Sequence, residues 1–159
     1  MFSLREDVFN GYCCKKEQKK VEISSAEWQI MRIVWTLKHV TSSEIINLMQ
    51  KKQTWSDSTI KTLITRLTKK EFLSRKKEQG RYIYSSTVAE QDTMNEYANS
   101  LFNDFCAHKA GSVLNELIDS LEISQADIAK LEKTLKEKEK TAPEHVHCDC
   151  LPDGCDDMC

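Results

Sequence analysis

Residues Ser56 to Leu73 read SDSTIKTLITRLTKKEFL, and this stretch decides the fold. Ser56-Asp57-Ser58-Thr59 is a helix-start signal, because short oxygen-bearing side chains accept the first backbone N–H groups of a helix, which have no partner within it. Ile60, Leu63, Ile64 and Leu67 follow at i, i+3, i+4 and i+7, the spacing of one buried helical stripe. The opposite face carries Lys61, Thr62, Thr65, Arg66 and Lys69, cations and small hydroxyls without a single acid. Beyond Phe72 the period shortens. Leu73-Ser74-Arg75-Lys76-Lys77, a Glu78-Gln79-Gly80 turn and Arg81-Tyr82-Ile83-Tyr84-Ser85 read as a β-hairpin with a basic rim.

Upstream, Ser24-Ser25-Ala26-Glu27 has capping-box spacing and opens a helix carrying Trp28, Ile30, Met31, Ile33, Val34, Trp35 and Leu37. Apolar on most sides, that helix is expected at the centre of a small domain, with both tryptophans in the core. Thr41-Ser42-Ser43-Glu44 repeats the cap and starts a second helix, with Ile45, Leu48 and Met49 on one face. Three helices followed by a hairpin form the order of a winged helix-turn-helix. The expected fold class is therefore mainly α (α+β), with the winged helix over residues 21–86.

Downstream the helical period returns through Met94, Tyr97, Ala98, Leu101, Phe102 and Phe105, and again through Val113, Leu114, Leu117 and Ile118. Ser124 and Asp127 resemble another cap before Ile128, Leu131 and Leu135. These stripes cannot all be covered by the small N-terminal unit. Residues 87–140 are thus expected to form a helical dimerisation region, with a homodimer as the economical solution and intramolecular packing as the alternative. Cys106, beside the stripe, reads as a small core residue. Residues 1–20, with Cys13-Cys14, read as a flexible extension or a start-site artefact, with two incidental thiols.

A net charge of -2 on 159 residues conceals a segregation. From Lys15 to Tyr84 there are 16 Lys or Arg against 7 acids, whereas residues 141–159 hold 5 acids and no Lys or Arg. One end suits an anion and the other a cation. No signal-peptide run or membrane-length apolar stretch is present, so a cytoplasmic protein without a membrane partner is expected. In that reducing compartment clustered cysteines serve as metal ligands or redox centres more often than as structural disulfides.

A winged helix can lay its third helix in the major groove of double-stranded DNA. Arg66 suits bidentate pairing with guanine, and Thr62 and Thr65 suit thymine methyls or phosphate oxygens. Lys61 and Lys69 suit phosphates, while Arg75, Lys76, Lys77 and Arg81 on the wing add counterion release. A merely solvated basic face is the alternative. The C-terminal residues 141–159 form a Cys-rich metal-binding tail in which Cys148, Cys150, Cys155 and Cys159 can be folded together by Pro152-Asp153-Gly154. Four thiolates suit Zn(II), and the same soft sulfurs suit Cu(I). His145 and His147 read either as solvated tail residues or as substitutes for one sulfur. No nucleophile-base pair, phosphate-binding glycine loop or HExxH-like site is evident, so no enzyme is expected.

The stretches SSAEWQIMRIVW, TSSEIINLMQKK and WSDSTIKTLITRLTKKEFL, and the run from Ile23 to Ser85 that contains them, resemble the BlaI/MecI/CopY transcriptional repressors. The cysteine tail resembles that of the copper-responsive branch. This resemblance implies a homodimer on a palindromic TACA-n-n-TGTA operator, held when zinc is bound and released when Cu(I) displaces the zinc. By position, Lys61, Thr62, Thr65 and Arg66 match the recognition helix, Arg81 the wing, and Cys148, Cys150, Cys155 and Cys159 the metal motif. The branch's tail is CxCxxxxCxC, whereas the last pair here is spaced CxxxC, which leaves copper stoichiometry open. A copper chaperone is a further partner under this reading. The alternatives are a β-lactam-resistance repressor inactivated by proteolysis, for which the tail is incidental, and a metal-storage or delivery protein.

Overall fold

The computed structural model describes residues 22–151. The flexible extension expected at 1–20, with Cys13 and Cys14, lies outside the described residues, as do Cys155 and Cys159.

Helix α1 (Ser25–Leu37) begins at Ser24. The Ser24 hydroxyl accepts the Glu27 N–H at 3.3 Å while the Glu27 carboxylate accepts the Ser24 N–H at 2.8 Å, so each side chain satisfies a backbone donor of the other. Thr41 and Glu44 repeat this box at the start of α2 (Ser42–Gln50), just after the two-residue strand β1 (Val40–Thr41). α3 (Asp57–Lys69) starts on the Ser56 hydroxyl, which accepts the Thr59 N–H.

α3 ends in a Schellman turn. Phe72 N–H donates to Leu67 C=O and Glu71 N–H to Thr68 C=O, with Glu71 in the left-handed region at φ 64°. This reversal delivers the chain directly into β2 (Leu73–Glu78), which pairs antiparallel with β3 (Arg81–Ser86). The hairpin turn is shorter than the expected three residues, consisting of Gln79 and Gly80 alone. Their positive φ values, 48° and 80°, match the twist of the flanking strands. β1 adds to the other edge of β3, giving the order β1-β3-β2. Two residues carry too little alternation to be read as a strand, so β1 was not expected from sequence.

Ile30, Met31 and Val34 of α1, Ile45 and Met49 of α2, and Ile60 and Leu67 of α3 are at most 0 % exposed and form one core. Burial of each such side chain stabilises the unit by about 1.5–3 kcal/mol. Trp35 is buried as expected, and its indole N–H donates to Val88 C=O at 3.0 Å, fixing α1 to the segment after the hairpin. Trp28 is only half-buried, stacked at a tilt against Trp35 with ring centroids 5.4 Å apart. Leu37, at the end of α1, is exposed.

Three further helices follow: α4 (Glu90–Asn103), α5 (Ala107–Ser120) and α6 (Gln125–Glu139). The chain divides into two compact units between Glu96 and Tyr97. As expected, Ser124 caps α6, accepting the Asp127 N–H at 3.1 Å. Thr93 is the one buried residue on α4–α6, while Met94, Tyr97, Leu101, Leu114, Leu117, Leu121, Ile128 and Leu135 all present apolar surface. No helix among the described residues is long and apolar enough to cross a membrane.

Candidate nucleic-acid interface and thiol cluster

The apolar stripe of α3 faces the core, which leaves Lys61, Thr62, Thr65, Arg66 and Lys69 all exposed on its other side. Shallow hollows flank this face, one lined by Ser58, Thr62 and Arg66, the other by Lys61, Thr65 and Lys69 together with Thr62 and Arg66. The threonine hydroxyls donate backwards into their own helix: Thr62 to Ser58 C=O at 2.8 Å and Thr65 to Lys61 C=O at 2.9 Å. Their protons are thus engaged, so each presents outward a methyl group and an oxygen able to accept. In this rotamer a thymine methyl suits them better than a phosphate oxygen, which demands a donor.

The hairpin holds its cations on two faces. Arg75 lies opposite Tyr84 and Lys77 opposite Tyr82, so these four share a face, and the Arg75 guanidinium sits 5.0 Å from the centre of the Tyr82 ring. That diagonal stack orients Arg75 without consuming its N–H donors. Arg75 also lines a hollow with Thr65, Lys69 and Tyr84, which makes the base of the wing continuous with α3. Lys77 and Arg81 are exposed; hydrogen bonds from Thr41 hold the Glu44 carboxyl below its ordinary range, with a smaller contribution from the charge of Arg81. Lys76 pairs with Glu78 at 3.0 Å in full solvent, a contact of little energetic weight.

Lys70 belongs to a different set. Its ammonium donates to Glu27 at 2.9 Å and to Glu22 C=O at 2.6 Å, across the surface of the unit. Burial works against the charged Glu27 carboxyl, but hydrogen bonds from Ser24 and Lys70 outweigh it and lower its pKa. A count of basic residues includes Lys70 with the DNA-facing cations. The structure assigns it to a structural pair.

In the second unit the tail returns to the start of α5. Val146 C=O lies 3.0 Å from His108 Nδ1, and the Asp149 carboxylate accepts the Ala107 N–H at 2.9 Å. The sulfur of Cys106 donates toward that of Cys148 at 3.4 Å, and the sulfurs of Cys106, Cys148 and Cys150 all lie within 4.8 Å of one another. Cys148 is buried and disulfide-bonded, and Cys150 is exposed. The reading of Cys106 as a core residue is corrected here. Half-buried, it precedes α5 and faces the tail cysteines, because the expected helical stripe breaks at 104–106 instead of running on. His145 and His147 are exposed.

Three mutually close sulfurs fit a thiophilic metal. A tetrahedron with Zn–S bonds of about 2.3 Å sets sulfurs about 3.8 Å apart, so the observed spacing is near that of a zinc site once the Cys148 disulfide is reduced. Two of the four cysteines expected as ligands, Cys148 and Cys150, are thus together, and a third sulfur joins them from a position sequence reading had given to the core.

Comparison with known proteins places these features in context. The family profile described as penicillinase repressor matches residues 23–137, ending before the first tail cysteine. A 16.5 kDa protein of the ptsI 3′ region of Latilactobacillus sakei is 50% identical over 135 residues, 85% of this chain and 92% of that one. The methicillin resistance regulatory protein MecI of Staphylococcus aureus is 36% identical over 122 residues, 77% of this chain and 99% of its own length. Among solved structures, the monomeric form of Bacillus licheniformis BlaI in complex with the blaP half-operator is 35% identical, covering 46% of this chain and 90% of that one, with a TM-score of 0.42.

Proposed function

The chain belongs to the penicillinase repressor family of transcriptional regulators and is not an enzyme, and from that premise we propose that it is a copper-responsive repressor whose grip on operator DNA is set by metal at its C-terminal thiols. The single observation that carries this reading is the gathering of Cys106, Cys148 and Cys150 in a chain that also presents Lys61, Arg66 and Lys69 on one exposed face of α3. The tail lies beyond the matched family profile, which makes it the feature that sets this chain apart from the shared repressor scaffold.

On DNA, α3 enters the major groove, with Arg66 on guanine and the outward methyls of Thr62 and Thr65 against thymine. Lys61 and Lys69 at the helix, and Arg75, Lys77 and Arg81 on the wing, neutralise phosphates and fix the register. A homodimer places two such heads on a palindromic operator. The uncovered apolar faces of α4–α6 support this assembly, since a second copy of the same helices would bury them. Cys148 and Cys150, with Cys155 and Cys159 as the sequence motif completes them, hold the metal. A bound Zn(II) would cross-link up to four of the available thiolates, and Cu(I) would need fewer. Exchange of one for the other therefore changes which thiolates are tied together. The site of action is the cytoplasm, where the reducing poise keeps such thiols available.

The test is a reporter gene placed under the operator in cells. Copper is expected to raise expression with the native chain, and a Cys148→Ser, Cys150→Ser variant, which cannot hold the metal, is expected to give the same expression at every copper level. Expression indifferent to copper in the native chain overturns the proposal. A second reading, a repressor inactivated by proteolysis, is favoured by the methicillin-resistance role in the name of the staphylococcal relative. It expects full regulation with all four tail cysteines replaced by serine, and cleavage of the chain on exposure to β-lactam.

A further inference from the structure

From the junction of α4 and α5 we infer that Cys106 is itself a metal ligand, so that a bound thiophilic cation joins the tail to the first turn of α5. This rests on the metal-sensing reading above, and it deepens that reading by bringing a helix of the second unit into the site.

Three observations support it. The Cys106 sulfur lies 3.4 Å from that of Cys148, and within 4.8 Å of both Cys148 and Cys150, although 42 residues of chain separate the first pair. The approach is held by contacts that involve no cysteine sulfur: Asp149 accepts the Ala107 N–H, and Val146 C=O meets His108 Nδ1. Cys106 occupies the N-cap of α5, yet its side chain makes no cap hydrogen bond, and Asp149 from the tail takes that role instead. The Cys106 sulfur instead lies close to the other two.

The binding form is the reduced one. The disulfide bond at Cys148 takes up two electrons from a phosphine and two protons from water, whose oxygen ends on the phosphine as its oxide, to give two thiols, and metal binding then releases thiol protons as thiolates ligate. Sulfur ligands drawn from Cys106, Cys148 and Cys150 leave one position of a zinc tetrahedron for a further tail group. A metal held this way constrains α5 directly. A tail-only cluster leaves α5 unconstrained.

The experiment uses the full chain, reduced with a phosphine and loaded with Zn(II) or Cu(I). Alkylation with iodoacetamide followed by peptide mass spectrometry reads each cysteine with and without metal. Cys106 is expected to become protected together with Cys148 and Cys150. In parallel, Cys106→Ser is expected to lose one sulfur from the count given by X-ray absorption at the zinc edge. Its zinc affinity should fall by more than the roughly 10- to 100-fold that even outer-shell partners cost. If Cys106 alkylates equally fast with and without metal, or if Cys106→Ser keeps the native sulfur count, the inference is overturned. The alkylation arm stands even if that variant fails to fold. Protection of Cys106 in a chain whose operator binding ignores metal would sink the repressor mechanism and leave this site intact. Copper-driven operator release without Cys106 protection would do the reverse.

Discussion

Arg66 and Lys69 stand one turn apart on the same exposed face of α3, yet they are expected to fail differently when replaced. Arg66→Ala removes a planar fork able to read a guanine edge, so operator affinity should drop by about 1–3 kcal/mol, with loss of base preference at one position in each half-site. Lys69→Ala removes a point charge. Binding should weaken evenly across operator variants, and the slope of log affinity against log salt should shrink by about 1 per head. Fluorescence anisotropy on a panel of single-base operator variants at several salt concentrations separates the two. Glu27 governs stability instead. Its folded pKa is depressed, so it contributes stability above its unfolded value near 4.5, and that contribution is lost as pH falls through the lower folded value. Glu27→Gln should cost about 1–3 kcal/mol at neutral pH and flatten the acid limb of unfolding followed by Trp35 fluorescence. The capping role of Glu27 was legible in the sequence because Ser24 is three residues away. Its pairing with Lys70, 43 residues distant, was not, since ion pairs at such separations follow from packing and leave no local pattern.

At the scale of elements, strong short-range signals carried furthest. The caps at Ser24, Thr41, Ser56 and Ser124 each start a helix where the side chains dictate, and the stripe from Ile60 to Leu67 is buried as its spacing requires. Features without a side-chain signature stayed hidden: the two residues of β1, and the break after α4, where Phe102 and Phe105 keep a helical interval and no Gly or Pro marks the end. The end of α3 is a third case, for Glu71 occupies a left-handed position that sequence convention reserves for glycine. Glu71→Gly should therefore stabilise the winged unit by about 1 kcal/mol, read as a raised urea midpoint. An unchanged or lowered midpoint would show that the Glu71 conformation carries no strain worth relieving. Gly80 is the converse. A Cβ there meets nothing within 4 Å, so any loss on Gly80→Ala reflects the backbone at φ +80° alone.

The molecule as a whole separates two tasks, a basic reading head before Glu96 and a helical unit with a thiol cluster after Tyr97. Charge segregation suggested two ends with different partners, and the cysteine spacing motivates the metal proposal. The partnership of Cys106 with the tail was not readable, because it arises from the chain folding back over 42 residues. The proposed homodimer belongs to this scale too. Introducing charge at Leu101 and Leu117, both exposed and apolar, should shift the chain to monomer in sedimentation equilibrium and reduce operator affinity by orders of magnitude, because each head alone offers about four phosphate contacts. The central claim is that metal in the second unit governs the grip of the first on DNA, a coupling free energy between two sites. Operator affinity of one reduced preparation, compared as apo, Zn(II) and Cu(I) forms at fixed salt, tests it most directly. The account expects the zinc form to bind at least tenfold more tightly than the copper form. Equal affinity in all three states would contradict it.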